Sequence, residues 1–390
     1  MKAAMHRLWR SILKGDWILL LLCLFATGFG CLVIASSTQY MGSANFIIVQ
    51  IGAAVIGVLL YAFISTVDLE FFSEHRGWLI AFNLILLAML IPFGEEVNGN
   101  RSWINFPILP FNIQAAELCK IAFILILASV MNSHQRRISS PKAVFHMAVH
   151  LGLIMGLNMI LSDDLGVSLI FLLIFVGMAF GGGVNLSWFL IAGGFIALLA
   201  PFVYNNLLGE YQKLRIEVLF NPDLDPLGRG PRYHTVQSLK TLTGGGMTGQ
   251  GLFNGRRTQA SDTLFARHTD YIFSSIGEEM GFLGCMFVLV LLFAIVARCI
   301  WVGMRSPDYM RKLVCFGAAS AMIFQIVVNV GMCMGLMPVI GLTLPFISYG
   351  GSSLVTTYLM MGLVSGVYAR PQPASHERYI RPPYMARPLR

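Results

Sequence analysis

The side chains in this chain whose types and spacing could do chemistry fall in a few short stretches between long apolar runs. Arg267-His268-Thr269-Asp270 leads into Tyr271-Ile272-Phe273 and then Glu278-Glu279. Asp270 there reads equally well in two ways. It is a good helix N-cap, where an acid suits the positive end of the dipole. It is also a carboxylate at a membrane surface beside His268 and Arg267, where a general base would meet a lipid-linked substrate. Asn100-Arg101-Ser102-Trp103 offers a fixed planar cation suited to phosphate, or a plain loop arginine next to an interfacial Trp anchor. In Gln114-Ala115-Ala116-Glu117-Leu118-Cys119-Lys120, Glu117 and Lys120 are three apart, so they share a helix face and can pair. Such a pair is either self-neutralised at the interface or a lysine turned to an internal cavity and held there by its neighbour. In Ser162-Asp163-Asp164-Leu165-Gly166, a helix N-cap explains one of the two carboxylates but not both.

The elements that must position these groups are membrane-spanning helices. The chain has 390 residues, of which 56% are hydrophobic and 12% charged. A soluble domain carries about 25% charge, so too little polar surface is left to cover a globule in water. Runs such as Trp17–Ser36, Phe282–Gly303 and Phe316–Met337 are nearly charge-free and close to the roughly 20 residues a helix needs to cross the hydrocarbon layer. The expected fold is therefore all-α and polytopic, with about ten transmembrane helices near 17–36, 44–66, 77–94, 113–132, 144–162, 166–182, 186–206, 271–303, 313–337 and 345–369. The net charge of +8 sits between apolar runs rather than among exposed aromatics, which argues against nucleic-acid binding.

Short-loop Lys and Arg set the orientation. The N-terminal tail (1–16), the loop with Arg136, Arg137 and Lys142, the loop with Arg305, Arg311 and Lys312, and the Pro- and Arg-rich tail 371–390 are all basic. With an even number of spans all four lie in the cytoplasm. The tail 371–390 has a disordered composition. The first apolar run has full spanning length and no clear cleavage site, so it reads as a retained helix. The loop 95–110 and the large loop 207–270 then face outward, inside a membrane domain covering 17–370. The large loop is rich in Gly, Pro, Asp and Arg and reads as an ordered loop with turns rather than a domain with its own core. Its stretch Gly244-Gly245-Gly246-Met247-Thr248-Gly249-Gln250-Gly251 lacks the Lys-Ser/Thr ending of a nucleotide loop. It reads as a loop needing several positive-φ positions, with a backbone nest for an anion as a weaker second reading. The 7 cysteines lie inside apolar segments without CxxC or Cys/His metal spacing, and imply no disulfide or zinc site.

In this order the pieces resemble the SEDS family of bacterial shape, elongation, division and sporulation proteins, whose members include RodA and FtsW. Gly99 to Ile104 is similar to the family's G-x-x-x-W-I element, with Arg101 before the Trp. Gln114 to Lys120 is similar to Q-P-(S/A)-E-x-x-K, and Asp164-Leu165-Gly166 to D-L-G. Tyr211-Gln212-Lys213-Leu214-Arg215 through Asn221-Pro222 and Asp225-Pro226-Leu227-Gly228 resembles Y-Q-x-x-R…D-P…D-P-x-G. Gln237-Ser238 precedes the glycine stretch as in the family. His268 to Phe273 with Glu278-Glu279 resembles H-T-D-F-I-F…E-E, and Gly341 to Ser353 is nearly the family signature. The likeness runs from the first span to Tyr368. Two positions depart from the pattern: Ala115 replaces a usual proline, and Phe265-Ala266 stands where Pro-Glu is usual.

The resemblance implies a peptidoglycan glycosyltransferase that polymerises lipid II into β-1,4 glycan strands in the bacterial cell membrane, with its active site on the extracellular face. Its partner would be a class B penicillin-binding protein, and its substrates lipid II and the undecaprenyl-linked glycan. The family's catalytic acid matches Asp270; Arg101, Glu117 and Lys120 match positions needed for activity. One inverting displacement suffices, with Asp270 as base, Arg101 and Lys120 as cations for the departing pyrophosphate, and Arg215, Asp164 and His268 as further substrate contacts. A divalent cation, Mg or Mn, held by Asp270 or Asp164, could replace part of that charge. Two rivals remain: a lipid II flippase, which needs a polar path reaching both faces, and a non-catalytic scaffold recruiting cell-wall synthases. Pro338-Val339-Ile340-Gly341 lacks the lysine often seen in FtsW-like members, which leans the resemblance toward a RodA-like role in elongation.

Overall fold

Hydrocarbon offers no hydrogen-bond partners, so a chain with these apolar runs satisfies its backbone within each run, as helices. The computed structural model describes residues 14–42, 44–97, 100–105, 112–162, 164–206, 209–225, 228, 230, 232–260 and 263–370. Its helices are α1 (Trp17–Thr38), α2 (Asn45–Ile64), α3 (Leu69–Glu74), α4 (Arg76–Ala88) and α5 (Leu90–Phe93), followed by α6 (Ala115–Ser133), α7 (Pro141–Ser162), α8 (Leu165–Gly181) and α9 (Leu186–Asn206). Then come α10 (Glu210–Phe220), α11 (Tyr233–Thr243), α12 (Ile272–Arg305), α13 (Tyr309–Cys333) and α14 (Gly351–Ala369). Among the described residues, 9 helices are long and apolar enough to cross a membrane, with α4 and α5 counted as one. The 17-residue α8 is a shorter apolar tenth. The expected spans are therefore present, and the protein is a multi-pass membrane protein.

The helices pack around α6, which is buried along nearly its whole length from Ala115 to Met131. Helix α13 packs against α6, α8 and α12; α14 packs along α2; α1 packs against α12; and α4 packs against α6. Helix α9 has no buried residue. Elsewhere Phe25, Ile48, Trp78, Phe145 and Phe282 are exposed, as lipid-facing side chains should be, because a hydrocarbon solvent does not drive them inward.

Several boundaries differ from the sequence-based expectation, each for a local reason. The last span starts at Gly351, not 345, because Leu342–Gly350 is a non-helical segment. Buried Gln50 fastens it through two contacts: Gln50 Nε2 donates to the Ser348 carbonyl (3.2 Å), and Gly350 N donates to Gln50 Oε1 (3.2 Å). Helix α13 ends at Cys333 rather than 337, and Gly335 follows at positive φ. Helix α12 is broken at Gly281 (φ 66, ψ −165) into a buried first part and the apolar run from Phe282. Here the Phe282 and Leu283 amides donate to the Gly246 and Met247 carbonyls instead of to their own helix (2.9 and 3.2 Å).

The stretch read as a loop with turns also holds the two 11-residue helices α10 and α11. Ser238 on α11 shares a 2.6 Å hydrogen bond with Ser274 and donates to the Cys333 carbonyl (2.8 Å), tying α11 to α12 and α13. The all-α core carries one small addition, an antiparallel sheet β1-β2-β3 of Gly94–Val97, Asn100–Ile104 and Ile113–Gln114.

At the end of the bundle opposite this sheet, the basic residues are engaged as well as placed. Arg298 pairs with buried Asp16 at the start of α1 (2.8 Å). Arg311 pairs with Asp68 (2.6 Å) and donates to the Arg370 carbonyl. Arg370 in turn donates to the carbonyls of Ser65, Thr66 and Val67 after α2, groups that no helix turn could satisfy.

Candidate functional site

The first turns of α6, α8, α12 and α14 lie at the sheet end and are joined there by side-chain to backbone bonds. Ser102 on β2 donates to Asp164 Oδ2 (3.2 Å), and Asp164 Oδ1 caps α8 by accepting from Val167 N (3.0 Å). Gln114 N, at the head of α6, donates to Ser352 Oγ on α14 (3.1 Å). Thr356 on α14 donates to Glu117 Oε2 (2.9 Å), and Glu117 Oε1 takes Lys120 Nζ at 2.8 Å, with both side chains buried. The pair foreseen from its spacing is thus formed and shared with α14.

Asp270 sits at the head of α12, on a turn built around Ala266 (φ 50), whose carbonyl accepts from Thr269 and Tyr271. The turn is held from outside. Ser348 Oγ donates to the Thr269 carbonyl (2.6 Å), the Tyr349 amide donates to the His268 carbonyl (2.8 Å), and buried Asn329 donates to both the Asp270 and Leu342 carbonyls (2.8 and 2.6 Å). Backbone carbonyls thus carry the anchoring and leave the Asp270 side chain to face Gly341. Desolvation pushes its carboxyl up to about 6, against a lowering hydrogen bond from Thr269. Gly341 (φ 76) follows Ile340, which packs on Gly166, so the segment 340–341 lies between Asp270 and the Asp164 cap.

His268 lies between the rings of Phe46 (5.0 Å) and Tyr349 (5.7 Å), with its Nδ1 buried and unpartnered. Burial and the neighbouring Arg267 push its imidazole down to about 4, so it is neutral at physiological pH. Arg267 itself does not face the carboxylate. It is 1% exposed, stacks on Tyr40 (3.8 Å) and donates to the carbonyls of Arg257, Thr258 and Ala260. Arg101 is exposed; its Nε donates to the Gly94 carbonyl (3.2 Å). The backbone of Arg215 lies on α10, and its side chain, like Asp163, is outside the described residues.

Glu278 and Glu279 are loop fasteners. Glu278 accepts from Arg257 N (2.9 Å) and from both Thr258 N and Oγ1 (2.7 Å each). Glu279 accepts from Ser36 (2.6 Å) and Gln259 (3.2 Å). The glycine stretch is a packing element rather than an anion nest: a Cβ at Gly245 would collide with the Gly277 carbonyl, and the Gln250 and Gly251 amides donate to the carbonyls of Glu278 and Glu279. Gln50, Asn329 and Ser348 were not singled out in the sequence. Gln50 and Asn329 carried a signal, as polar residues inside apolar runs.

Of the two carboxylates considered for a metal, Asp164 has both oxygens engaged, and burial pushes its carboxyl up while Val167, Ser102 and Gly166 lower it. Among the described residues no group of three or more His, Cys, Asp or Glu side chains closes on a common point. No such cage therefore forms around Asp270 among the described residues.

A helical membrane bundle that gathers four helix N-termini, a buried Glu–Lys pair and a desolvated carboxylate at one end defines a polytopic membrane protein with a polar site at that end. The chain belongs to the FtsW/RodA/SpoVE family of cell cycle proteins, whose model matches residues 16–372. It is 34% identical over 376 residues to a probable peptidoglycan glycosyltransferase FtsW of Thiomicrospira cyclica, covering 92% of this chain and 93% of that one. It is 30% identical over 358 residues to the peptidoglycan glycosyltransferase MrdB of Escherichia coli K12, covering 90% and 93%. A solved chain from a peptidoglycan synthase complex that coordinates polymerization and crosslinking superposes with a TM-score of 0.78 at 30% identity, covering 92% of this chain and 98% of that chain.

Proposed function

We propose that this protein is a peptidoglycan glycosyltransferase that polymerises lipid II into β-1,4 glycan strands at the outer face of the bacterial cell membrane, with Asp270 as general base. The observation that carries the reading is the placement of Asp270: a half-buried carboxylate whose carboxyl is pushed up to about 6, at the head of α12, on a turn fastened through its carbonyls. The basic end of the bundle then faces the cytoplasm and the sheet end the outside. The relatives' names support the activity, and the synthase complex, which coordinates polymerization with crosslinking, supports a crosslinking partner, which the family resemblance makes a class B penicillin-binding protein.

The step is one inverting displacement. The acceptor 4-hydroxyl oxygen attacks the donor's anomeric carbon, the new C–O bond forms as the bond to pyrophosphate breaks, and the hydroxyl proton passes to Asp270. A carboxyl near 6 is a stronger base than an ordinary aspartate and is still ionised roughly ten to one at pH 7. The departing polyprenyl pyrophosphate carries the charge away. Four helix N-termini at this end favour an anion there, and exposed Arg101 can turn its remaining donors to it. Lys120, tied to Glu117, positions charge rather than lending a free cation. His268, neutral and ringed by Phe46 and Tyr349, sets the turn that delivers Asp270.

The test is polymerisation of labelled lipid II by reconstituted protein with its partner. Asp270→Asn abolishes glycan chains while partner binding persists; retained polymerisation removes Asp270 from the role. Lipid translocation without chain growth in the parent protein would point to a flippase instead.

A further inference from the structure

At the basic end, away from the site above and independent of it, three histidines stand in a row. His146 and His150 are four apart on α7 and so share one helix face, with ring centroids 5.2 Å apart. His134, which ends α6, has its ring 5.2 Å from that of His146. Two imidazoles that share one tetrahedral ion at a metal–nitrogen distance of about 2.0–2.1 Å have ring centroids roughly 5 Å apart. The observed spacing therefore needs little rearrangement to become a shared ligand pair.

Two details favour metal ligation over simple ring packing. His134 Nδ1 lies 3.1 Å from the Val130 carbonyl. A proton held on Nδ1 by that acceptor leaves the Nε2 lone pair available, the arrangement by which ligating histidines are usually oriented. His150 lines a cavity of about 10 Å³ with Asn83, Phe123 and Ile126, and the buried Asn83 Oδ1 in its wall has no partner. That space admits about one water, which would bond Asn83 and His150 together and orient the second ring in the same way. His150 is also about 13 Å along α7 from Pro141, a depth at which a polar ring asks for an explanation.

We propose that His146 and His150, with His134 as a third ligand, bind a divalent cation of the Zn²⁺ or Ni²⁺ type. Imidazole selects such ions over Mg²⁺ and Ca²⁺. The charged groups acting on His146 are the cations Arg76 and Lys142, and the site contains no carboxylate. Their repulsion lowers the affinity. Among the described residues no three such side chains already close on one point, so the pair on α7 binds first and His134 joins by a small approach of the end of α6 that keeps its Nδ1 on the Val130 carbonyl. Bound metal would then clamp α6 to α7 across the turn at Gln135–Ser140.

The test is Co²⁺ and Zn²⁺ titration of the full chain, purified without a polyhistidine tag. The expected result is one saturable equivalent, tetrahedral Co²⁺ absorption bands, and a rise in melting temperature that EDTA reverses. His146→Ala and His150→Ala should each weaken binding at least tenfold, and His134→Ala should remove the tetrahedral bands. His75→Ala, whose Nδ1 is held by the Phe71 carbonyl (2.9 Å), should change nothing. Melting of each variant in EDTA checks folding. No saturable binding by the parent, or binding unaltered in the His146→Ala/His150→Ala double variant, overturns the site.

Discussion

If Asp270 takes the acceptor proton, the pH dependence of polymerisation must follow its own ionisation. Desolvation raises the carboxyl from 3.8 to about 6. At pH 5 about a tenth of it is ionised, and at pH 7.5 nearly all, so kcat/KM should fall about tenfold across that interval. An ordinary aspartate would lose less than about a tenth of its activity there. The sign for stability is opposite. The folded state holds the proton up to about 6 and the unfolded chain releases it near 3.8, so stability present below pH 4 is lost as pH rises to 6. The difference of about two units corresponds to at most about 3 kcal/mol. Asp270→Asn removes that cost, so at pH 7.5 the inactive variant should melt higher than its parent. The assays are initial rates of chain growth from labelled lipid II between pH 5 and 8, and melting in detergent at pH 7.5. A rate flat down to pH 5, or an Asp270→Asn variant less stable than the parent, would refute the desolvated-base argument.

Other substitutions probe the supports. Glu278→Gln weakens three charge-assisted hydrogen bonds from Arg257 and Thr258 and should cost about 2–4 kcal/mol in melting experiments, with activity falling as the loop before Asp270 loosens. Gly245→Ala drives a methyl into the Gly277 carbonyl and should cost about 1–3 kcal/mol by the same measurement. Arg298→Ala leaves buried Asp16 unpaired and should cost about 3–5 kcal/mol, mostly recovered by adding Asp16→Asn. Glu117→Gln and Lys120→Met should each destabilise more than the two together, since either alone strands a buried group. If the double variant folds and remains inactive, the pair serves the reaction; if it folds and polymerises normally, the pair is structural.

The spans were legible because bilayer thickness imposes a length and hydropathy on each run; the break at Gly281 was not, since 271–303 read as one span although its charge-free run begins only at Phe282. Nor was the segment Leu342–Gly350. Its turn, with Phe346 at positive φ, is held by side chains outside it, Gln50 about 300 positions earlier in the chain and Asn329 on α13, and no local pattern announces them. Helices α10 and α11 were hidden by the turn residues around them. Composition marks a loop well but says little about a helix that gains its stability by docking, as α11 does through Ser238.

The site was legible to the extent that charge at membrane depth is costly. Glu117 with Lys120, Asp164 and Asp270 all stood out for that reason. The sequence could not sort them by role, because role depends on where each side chain's spare hydrogen-bonding capacity points. Asp164 and Asp270 look alike as N-cap candidates, yet Asp164 spends both oxygens on Ser102 and Val167. Asp270 is anchored through its carbonyl by Asn329, and its carboxylate takes one hydrogen bond, from Thr269. Arg267 and Glu278 carry charges as prominent in sequence as Asp270's, but their charges are consumed by the loop's own backbone. A carboxylate that the fold holds in place with hydrogen-bonding capacity to spare is the one left for a substrate, and that distinction exists only once the loop has closed on α12.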